Sequence, residues 1–97
     1  MASKVRKIMK ILCSKLYEKQ IKKILITLAS SDYNEAKKFK LYLDTIILNM
    51  PTKAKKYKQS VYSDNENIKD IEHQGYIIPF LLDESNNAYL VLAILKK

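Results

Sequence analysis

The spacing of apolar residues changes once along this chain of 97 residues, near Pro51. Before that position, apolar residues recur every three or four positions, which is the period of an amphipathic helix. After it, the strongest apolar stretches are two continuous runs at 76–82 and 88–95, which are typical of buried β-strands. A helical part followed by a strand-rich part indicates an α+β domain.

Two helices are predicted before Pro51. The first runs from Lys15 to about Ser30, and Ser14 is a suitable N-cap. The second begins after Asp32, whose carboxylate can accept hydrogen bonds from the first free amides. We expect it to stop at Pro51, because proline disfavours helical geometry in the residue before it. The short link between the helices predicts a helical hairpin.

Strands are predicted on both sides of the hairpin, at residues 9–14, 59–62 (weak), 67–73, 76–82 and 88–95. Gln74–Gly75 is the turn between the third and fourth of these. Pro79 has no N–H group, so we expect a bulge or locally broken pairing in the run that contains it. The expected fold is an N-terminal strand, a two-helix hairpin and then a three- to four-stranded antiparallel sheet.

The length of the chain favours one domain. Residues 1–8 are basic and precede the first predicted strand, so we interpret them as a leader, disordered or added, and residues 9–97 as the domain. No segment reaches the ~18–20 apolar residues of a membrane span. No apolar signal segment follows the basic start, which favours a cytoplasmic protein.

Positive charge is concentrated in the first 60 residues, which hold 15 of the 18 Lys and Arg residues and 4 of the 10 Asp and Glu residues. This asymmetry fits a polyanion or an acidic partner, although a solvated lysine-rich surface is the alternative. Lysines surround Tyr57 in the segment 53–58, a composition that contacts phosphates and stacks on bases. The alternative for this segment is a solvated loop before an edge strand.

Few side chains offer chemistry. Cys13 is the one cysteine, and His73 is the one histidine, which excludes a disulfide framework and a cysteine-rich zinc site. The one glycine excludes a Gly-rich phosphate loop, and we expect no metal and no cofactor. Cys13 is interpreted as a small buried hydrophobe and His73 as an exposed turn residue. His73 is also a conceivable acid or base for RNA cleavage, with lysines to stabilise the phosphate charge.

The carboxy-terminal half carries a recognisable pattern. It consists of a polar segment at 60–71, the strand Gly75–Phe80, an acidic turn at 83–87 and an apolar strand with a basic end at 89–97. In the helical half, Phe39–Leu43 and Met50–Pro51 complete it. Over residues 9–97 the chain resembles the RelE/ParE superfamily of small bacterial toxins from type II toxin–antitoxin systems. The resemblance implies a cognate antitoxin, typically acidic and partly disordered, that folds on binding.

The superfamily implies two alternative activities. RelE-like members cut messenger RNA in the ribosomal A site, whereas ParE-like members inhibit DNA gyrase by binding. This chain has Ile77 where the nucleases often have an arginine, and it ends Leu95-Lys96-Lys97 instead of with a His or Tyr. It therefore looks like a ParE-like inhibitor of gyrase and replication without catalytic residues. The alternative is a RelE-like, ribosome-dependent messenger RNA endonuclease whose site is His73 with Lys55, Lys56 and Lys58.

Two sets of residues are expected to bind partners. The target-binding set is Lys53, Lys55, Lys56, Lys58, Lys96 and Lys97. The antitoxin-binding set is Lys19, Lys22 and Lys23 on the helical hairpin, with Tyr76 and Phe80 on an exposed surface of the sheet.

Overall fold

The structure is a computed structural model, and it describes residues 10–97. The elements are β1 (Lys10–Cys13), α1 (Lys15–Ser31), α2 (Tyr33–Lys53), a 3₁₀ turn (Ala54–Lys56), β2 (Ile68–His73), β3 (Tyr76–Asp83), β4 (Ala88–Val91) and β5 (Leu95–Lys96). This order confirms the α+β class and the helical hairpin. The expected leader at residues 1–8 lies outside the described residues.

The sheet has the strand order β1-β4-β3-β2, and the short β5 pairs with the start of β3. The pairs β2–β3, β3–β4 and β3–β5 are antiparallel, as expected. β1 is instead parallel to β4, which makes the sheet mixed. Parallel neighbours need a long crossover connection, and here the helical hairpin with β2 and β3 provides it.

One residue ends the first helix and begins the second. The Asp32 N–H donates to the Leu28 carbonyl at 2.8 Å, while its carboxylate accepts from the Asn34 and Glu35 amides at 3.0 and 3.3 Å. Ser14 caps α1 by accepting from the Tyr17 amide at 3.0 Å. Both predicted caps are confirmed.

Pro51 does not stop the second helix, so that prediction is wrong. The helix continues to Lys53, and the 3₁₀ turn follows it. Met50, the residue that Pro51 should force out of helical geometry, is fully buried in the core. Burying a methionine side chain stabilises the fold by about 1.5–3 kcal/mol, which offsets the steric cost of helical geometry before proline.

The helices cover one face of the sheet, and alternate positions of the strands point to them. Ile71 pairs with Ile78, and Phe80 pairs with Val91, and all four residues belong to the buried core with the helix residues Phe39, Leu43 and Met50. Because strand side chains alternate between faces, the residues between these positions form an outer face on the other side.

Pairing along β3 is broken where it was expected. β4 pairs with residues 80–83 and β5 with residues 76–77, while the Pro79 carbonyl accepts one bond from the Leu92 amide at 2.8 Å. The absent N–H of Pro79 explains why the predicted strand 88–95 divides into β4 and β5. The weak strand predicted at 59–62 is reduced to one bridge, Gln59 with Lys69.

Candidate binding surfaces

An open cleft on α1 brings together the three lysines that the sequence assigns to the antitoxin. Lys19, Lys22 and Lys23 line a space of about 490 Å³ together with Leu16, Gln20 and Ile26. Leu16 and Ile26 are 54% and 63% exposed, so the cleft has an apolar floor and a basic rim. Such a surface is chemically suited to an acidic segment with apolar side chains.

A second cleft lies on α2 and is missed by the sequence reasoning. Lys37, Lys38, Lys40 and Leu41 line it with Asn34 and Asp44, and its volume is about 620 Å³. The signal in the sequence is a run of lysines and one leucine opposite the buried positions Ala36, Phe39 and Leu43. Within the cleft Lys40 pairs with Asp44 at 2.6 Å, and the Lys37 Nζ lies over the Tyr33 ring, 5.6 Å from its centroid.

Phe80 cannot contribute to an exposed docking surface, and this part of the prediction is wrong. Its side chain is 0% exposed and lies edge-on to Tyr57, with ring centroids 5.6 Å apart. Phe80 falls on the helix-facing side of β3, which an uninterrupted apolar run does not reveal.

Tyr76 is half-buried and lies on the same helix-facing side of β3. Its ring meets Phe39 edge-on at 5.6 Å, and it shares a small cleft of about 260 Å³ with Lys23 and Leu28 of α1. Of the two predicted sheet residues, Tyr76 is therefore the one that the structure places beside a predicted lysine.

The lysines of the target-binding set are all exposed, but they do not form one patch. Lys58 lies outside the β2 edge, where its carbonyl accepts from the Asp70 amide, and Lys96 lies on the other side of β3, paired with Tyr76. Three strand spacings, roughly 14 Å, separate these two positions. Lys97 also forms a salt bridge with Glu72, with Nζ and Oε1 3.0 Å apart.

Tyr57 does not stand among the lysines as a platform for bases. Its ring packs against the buried Phe80, and this burial raises the pKa of the Tyr57 hydroxyl. The segment 53–58 is therefore a row of exposed lysines over a tyrosine that belongs to the core.

His73 is buried, so its interpretation as an exposed turn residue is wrong. Its side chain lies on the helix-facing side of β2, and its ring centroid is 5.3 Å from that of Phe39. The residue is 9% exposed, and among the described residues Nε2 has no hydrogen-bond partner. Burial lowers the pKa of the imidazole, which therefore stays neutral near pH 7.

Cys13 is exposed, which contradicts its interpretation as a buried hydrophobe. It ends β1 at the edge of the sheet, beside a groove of about 450 Å³ that Ile21, Ile47 and Leu48 also line. Partial desolvation, with the carboxylates of Glu18 and Asp44, raises the pKa of the thiol. A thiol with a raised pKa is a poor nucleophile at neutral pH.

Within residues 10–97, no group of three or more His, Cys, Asp and Glu side chains is placed to hold a metal ion. In the same part of the chain, no helix has the length and apolar character to cross a membrane.

The mixed sheet with a helical hairpin on one face, entered by a strand parallel to β4, is the RelE/ParE-like fold. A chain of the chromosomal ParDE toxin–antitoxin system from P. aeruginosa superposes with a TM-score of 0.74 at 12% identity, over 94% of this chain and 98% of that one. A chain of the toxin–antitoxin complex RelBE2 from Mycobacterium tuberculosis gives 0.61 at 4% identity, over 92% and 98%. The resemblance seen in the sequence is thus confirmed at the level of the fold.

No protein-family model and no curated protein sequence matches the chain.

Proposed function

We propose that this chain is the toxin of a bacterial type II toxin–antitoxin pair, of the ParE-like kind. In this proposal it acts in the cytoplasm, inhibits DNA gyrase and replication by binding, and is neutralised by a cognate antitoxin. The observation that carries the proposal is the likeness to chains of ParDE and RelBE2 over nearly the whole length of both partners.

The position of His73 favours binding over RNA cleavage. A general acid or base must come within about 2.6–3.2 Å of the proton that it transfers. The His73 ring is enclosed between β2 and α2, and its Nε2 is buried. An RNA substrate could reach this nitrogen only if the hairpin moved away from the sheet.

The position of the lysines supports the same preference. In the nuclease alternative, Lys55, Lys56 and Lys58 stabilise phosphate charge beside His73. Lys55 and Lys56 lie in the 3₁₀ turn after α2, and Lys58 lies outside the β2 edge beside Asp70. His73 pairs with Tyr76 at the far end of β2. A reduced catalytic site from these four residues is therefore not assembled in this conformation.

The two basic clefts of the hairpin support neutralisation by an acidic partner. Each combines exposed lysines with an exposed leucine or isoleucine, and the α1 cleft contains the predicted Lys19, Lys22 and Lys23. An acidic amphipathic segment of the antitoxin matches both the charge and the apolar floor.

The test is a supercoiling assay with purified gyrase, run beside a ribosome-programmed messenger cleavage assay on the same preparation. We expect linear, protein-linked plasmid DNA and intact messenger. Cut messenger with unaffected gyrase would overturn the gyrase proposal and favour the nuclease alternative. Activity in neither assay would overturn both target assignments while leaving the fold unaffected.

Four variants test which surface is responsible. We expect the paired change Lys96→Ala and Lys97→Ala, or the fourfold change of Lys53, Lys55, Lys56 and Lys58 to Ala, to weaken gyrase inhibition at least tenfold. The matched control is Lys37→Ala with Lys38→Ala, which also removes exposed lysines but from α2. His73→Gln should leave inhibition unchanged if binding suffices, and its melting temperature shows whether the variant is folded.

A further inference from the structure

The outer face of the sheet carries a continuous row of aliphatic side chains. Leu12 of β1 pairs with Leu90 of β4, Leu90 pairs with Leu81 of β3, and Leu81 pairs with Ile68 of β2. Directly paired residues point to the same face, so four strands contribute one row. Leu12 is 48% exposed and the other three side chains are partly exposed, and the core residues that pack with the helices lie on the opposite face of the described sheet.

Acidic residues predominate around this row. Asp70 and Asp83 lie on the same face, two positions from Ile68 and Leu81 along their strands. The Asp70 carboxylate is partly covered, because Oδ2 accepts from the Val61 amide at 3.0 Å and Oδ1 is buried. Exposed Glu84 follows in the turn after β3, and exposed Asp64 and Glu66 lie in the loop before β2. The cations at this border are Lys10, on the row of Asp83, Lys97, which pairs with Glu72, and exposed Lys58, whose carbonyl accepts from the Asp70 amide. The surface is therefore apolar along the row, with a net negative border.

The exposed side of α1 has the complementary chemistry. Leu16, Lys19, Lys23 and Ile26 recur every three or four positions along it, on the side away from the buried Tyr17 and Ile21. Leu16 and Ile26 are ten positions apart, which corresponds to about 15 Å of helix. The row of four strands spans three spacings, about 14 Å. The helix stripe therefore matches the outer row in length and in apolar character, and its positive charge is opposite in sign to the acidic border of the row.

We propose that the outer face of the sheet binds the α1 stripe of a second copy of this chain. The contact is head-to-tail, since it joins two different surfaces, and it leaves one free face and one free helix on every assembly. Lys19, Lys22 and Lys23 of one copy then face the acidic border of the next. The inference does not depend on the proposed gyrase function. It uses the α1 surface that is also proposed for the antitoxin, so an antitoxin and a second copy would compete for Lys19, Lys22 and Lys23.

A symmetric contact of two outer faces is the main alternative, because it also buries the aliphatic row. It brings two acidic borders together, and repulsion between like charges opposes it. The two arrangements respond to salt in opposite ways. Screening weakens the head-to-tail contact and strengthens the symmetric one, because the Debye length falls from about 30 Å at 0.01 M to 3 Å at 1 M salt.

The deciding experiment mixes two variants of the full chain in sedimentation velocity. The sheet variant is Leu90→Lys, which places a cation in the row, and the helix variant is Ile26→Glu, which places an anion in the stripe. A second sheet variant, Leu12→Lys, lies at the half-exposed end of the row and is chosen to preserve the fold. Leu48→Glu on α2 is the matched control, since Leu48 is 71% exposed but outside both surfaces.

We expect the wild type and Leu48→Glu to associate increasingly with concentration at low salt, and each interface variant to remain a monomer. The mixture should form a one-to-one dimer without growing further, because it contains one intact face and one intact stripe. A monomeric wild type up to near-millimolar concentration overturns the proposal. An Ile26→Glu variant that still dimerises, more strongly at high salt, overturns it in favour of the symmetric contact.

Discussion

His73 is a titratable side chain enclosed between β2 and α2, with Nε2 buried and no acceptor or donor for it among the described residues. A charged imidazolium in this position would lack both water and a counter-ion. The fold therefore selects the neutral form, and burial lowers the pKa of the group below that of an unfolded chain.

The stability of the fold should consequently decrease as the pH falls through about 6.5, the pKa of an unperturbed histidine. Above that pH the contribution of His73 is fully present, because the imidazole is neutral in both states. Below it the unfolded chain binds a proton that the folded chain resists. Urea unfolding of the wild type and of His73→Phe between pH 8 and pH 5 measures this loss of stability. One proton changes the free energy of unfolding by at most ~1.4 kcal/mol per pH unit.

His73→Phe is the informative variant, because a phenyl ring can retain the contact with Phe39 and cannot titrate. Its free energy of unfolding should depend less on pH across this range than that of the wild type. Equal pH dependence of the two proteins would show that His73 is not buried as described.

Gly75 is the second residue whose position restricts which amino acid fits, in this case through its backbone conformation. Its φ is +85°, and a Cβ built on it meets no atom within 4 Å. Gln74 before it also has a positive φ of 47°, so both central residues of this turn are left-handed. Gly75→Ala should therefore destabilise the fold by about 1 kcal/mol through backbone strain alone.

The measurement is the melting temperature, which should fall by roughly 4–8 °C for a domain of this size. Gly75→Asn is the control, since asparagine tolerates the left-handed region and should lose less. An alanine variant as stable as the wild type would mean that the turn can adopt another geometry without cost.

At the scale of elements, the two helix caps differ in the groups to which they hydrogen-bond. Ser14 accepts from the Tyr17 amide at 3.0 Å and also donates to the Leu92 carbonyl at 2.6 Å, so it ties the start of α1 to the end of β4. Asp32 makes its side-chain bonds within the exposed link between the helices. The serine therefore joins helix to sheet, whereas the aspartate acts locally.

Ser14→Ala should cost about 2 kcal/mol, near the upper end for a cap, because a partly buried carbonyl also loses its donor. Asp32→Ala should cost about 1 kcal/mol. Ser30→Ala is the control, since its hydroxyl bonds only to an exposed carbonyl within α1. Urea unfolding of the three variants should rank them in this order, and a larger loss for Asp32→Ala would contradict it.

The helical elements were predictable because their signals are local. Ser14, Asp32 and the spacing of Phe39, Leu43 and Met50 all act within one or two turns. The sheet was predictable in its strands but not in its faces. An apolar run such as 76–82 does not show which side meets the helices, and so the prediction for Phe80 was wrong.

Pro51 and His73 show why local rules fail at packed positions. The geometry of Pro51 predicts a helix end, and the position of His73 before a turn predicts an exposed side chain. In both cases a contact distant in sequence decides: Met50 is buried in the core, and the His73 ring lies on Phe39. The candidate lysines could be identified from composition, but their division between two edges of the sheet depends on strand pairing that the sequence does not specify.

On the scale of the whole molecule, the basic charge is distributed over separate surfaces. The lysines of segment 53–58 follow one another from the end of α2 to the outside of β2, and Lys96 lies in β5 beside β3. Two further groups line the clefts of α1 and α2. A protein with several small basic surfaces binds a polyanion with whichever surface it presents. High net charge by itself therefore does not define one nucleic-acid site.

This distribution makes a quantitative prediction for non-specific binding to duplex DNA. If the exposed loop lysines Lys53, Lys55, Lys56 and Lys58 bind phosphates, their replacement by Ala should reduce the slope of log K against log salt. The reduction is about 0.9 for each phosphate that the variant no longer neutralises.

Lys96→Ala with Lys97→Ala should reduce this slope by less than about 0.9, the contribution of one neutralised phosphate. Lys97 is already paired with Glu72, and Lys96 lies on the other side of β3 from the loop, so this pair offers at most one unpaired cation to a duplex that is centred on the loop. Fluorescence anisotropy with a labelled duplex at several salt concentrations gives both slopes. Equal reductions for the two variants would mean that Lys96 and Lys97 neutralise as many phosphates as the four loop lysines, which contradicts the pairing of Lys97 with Glu72.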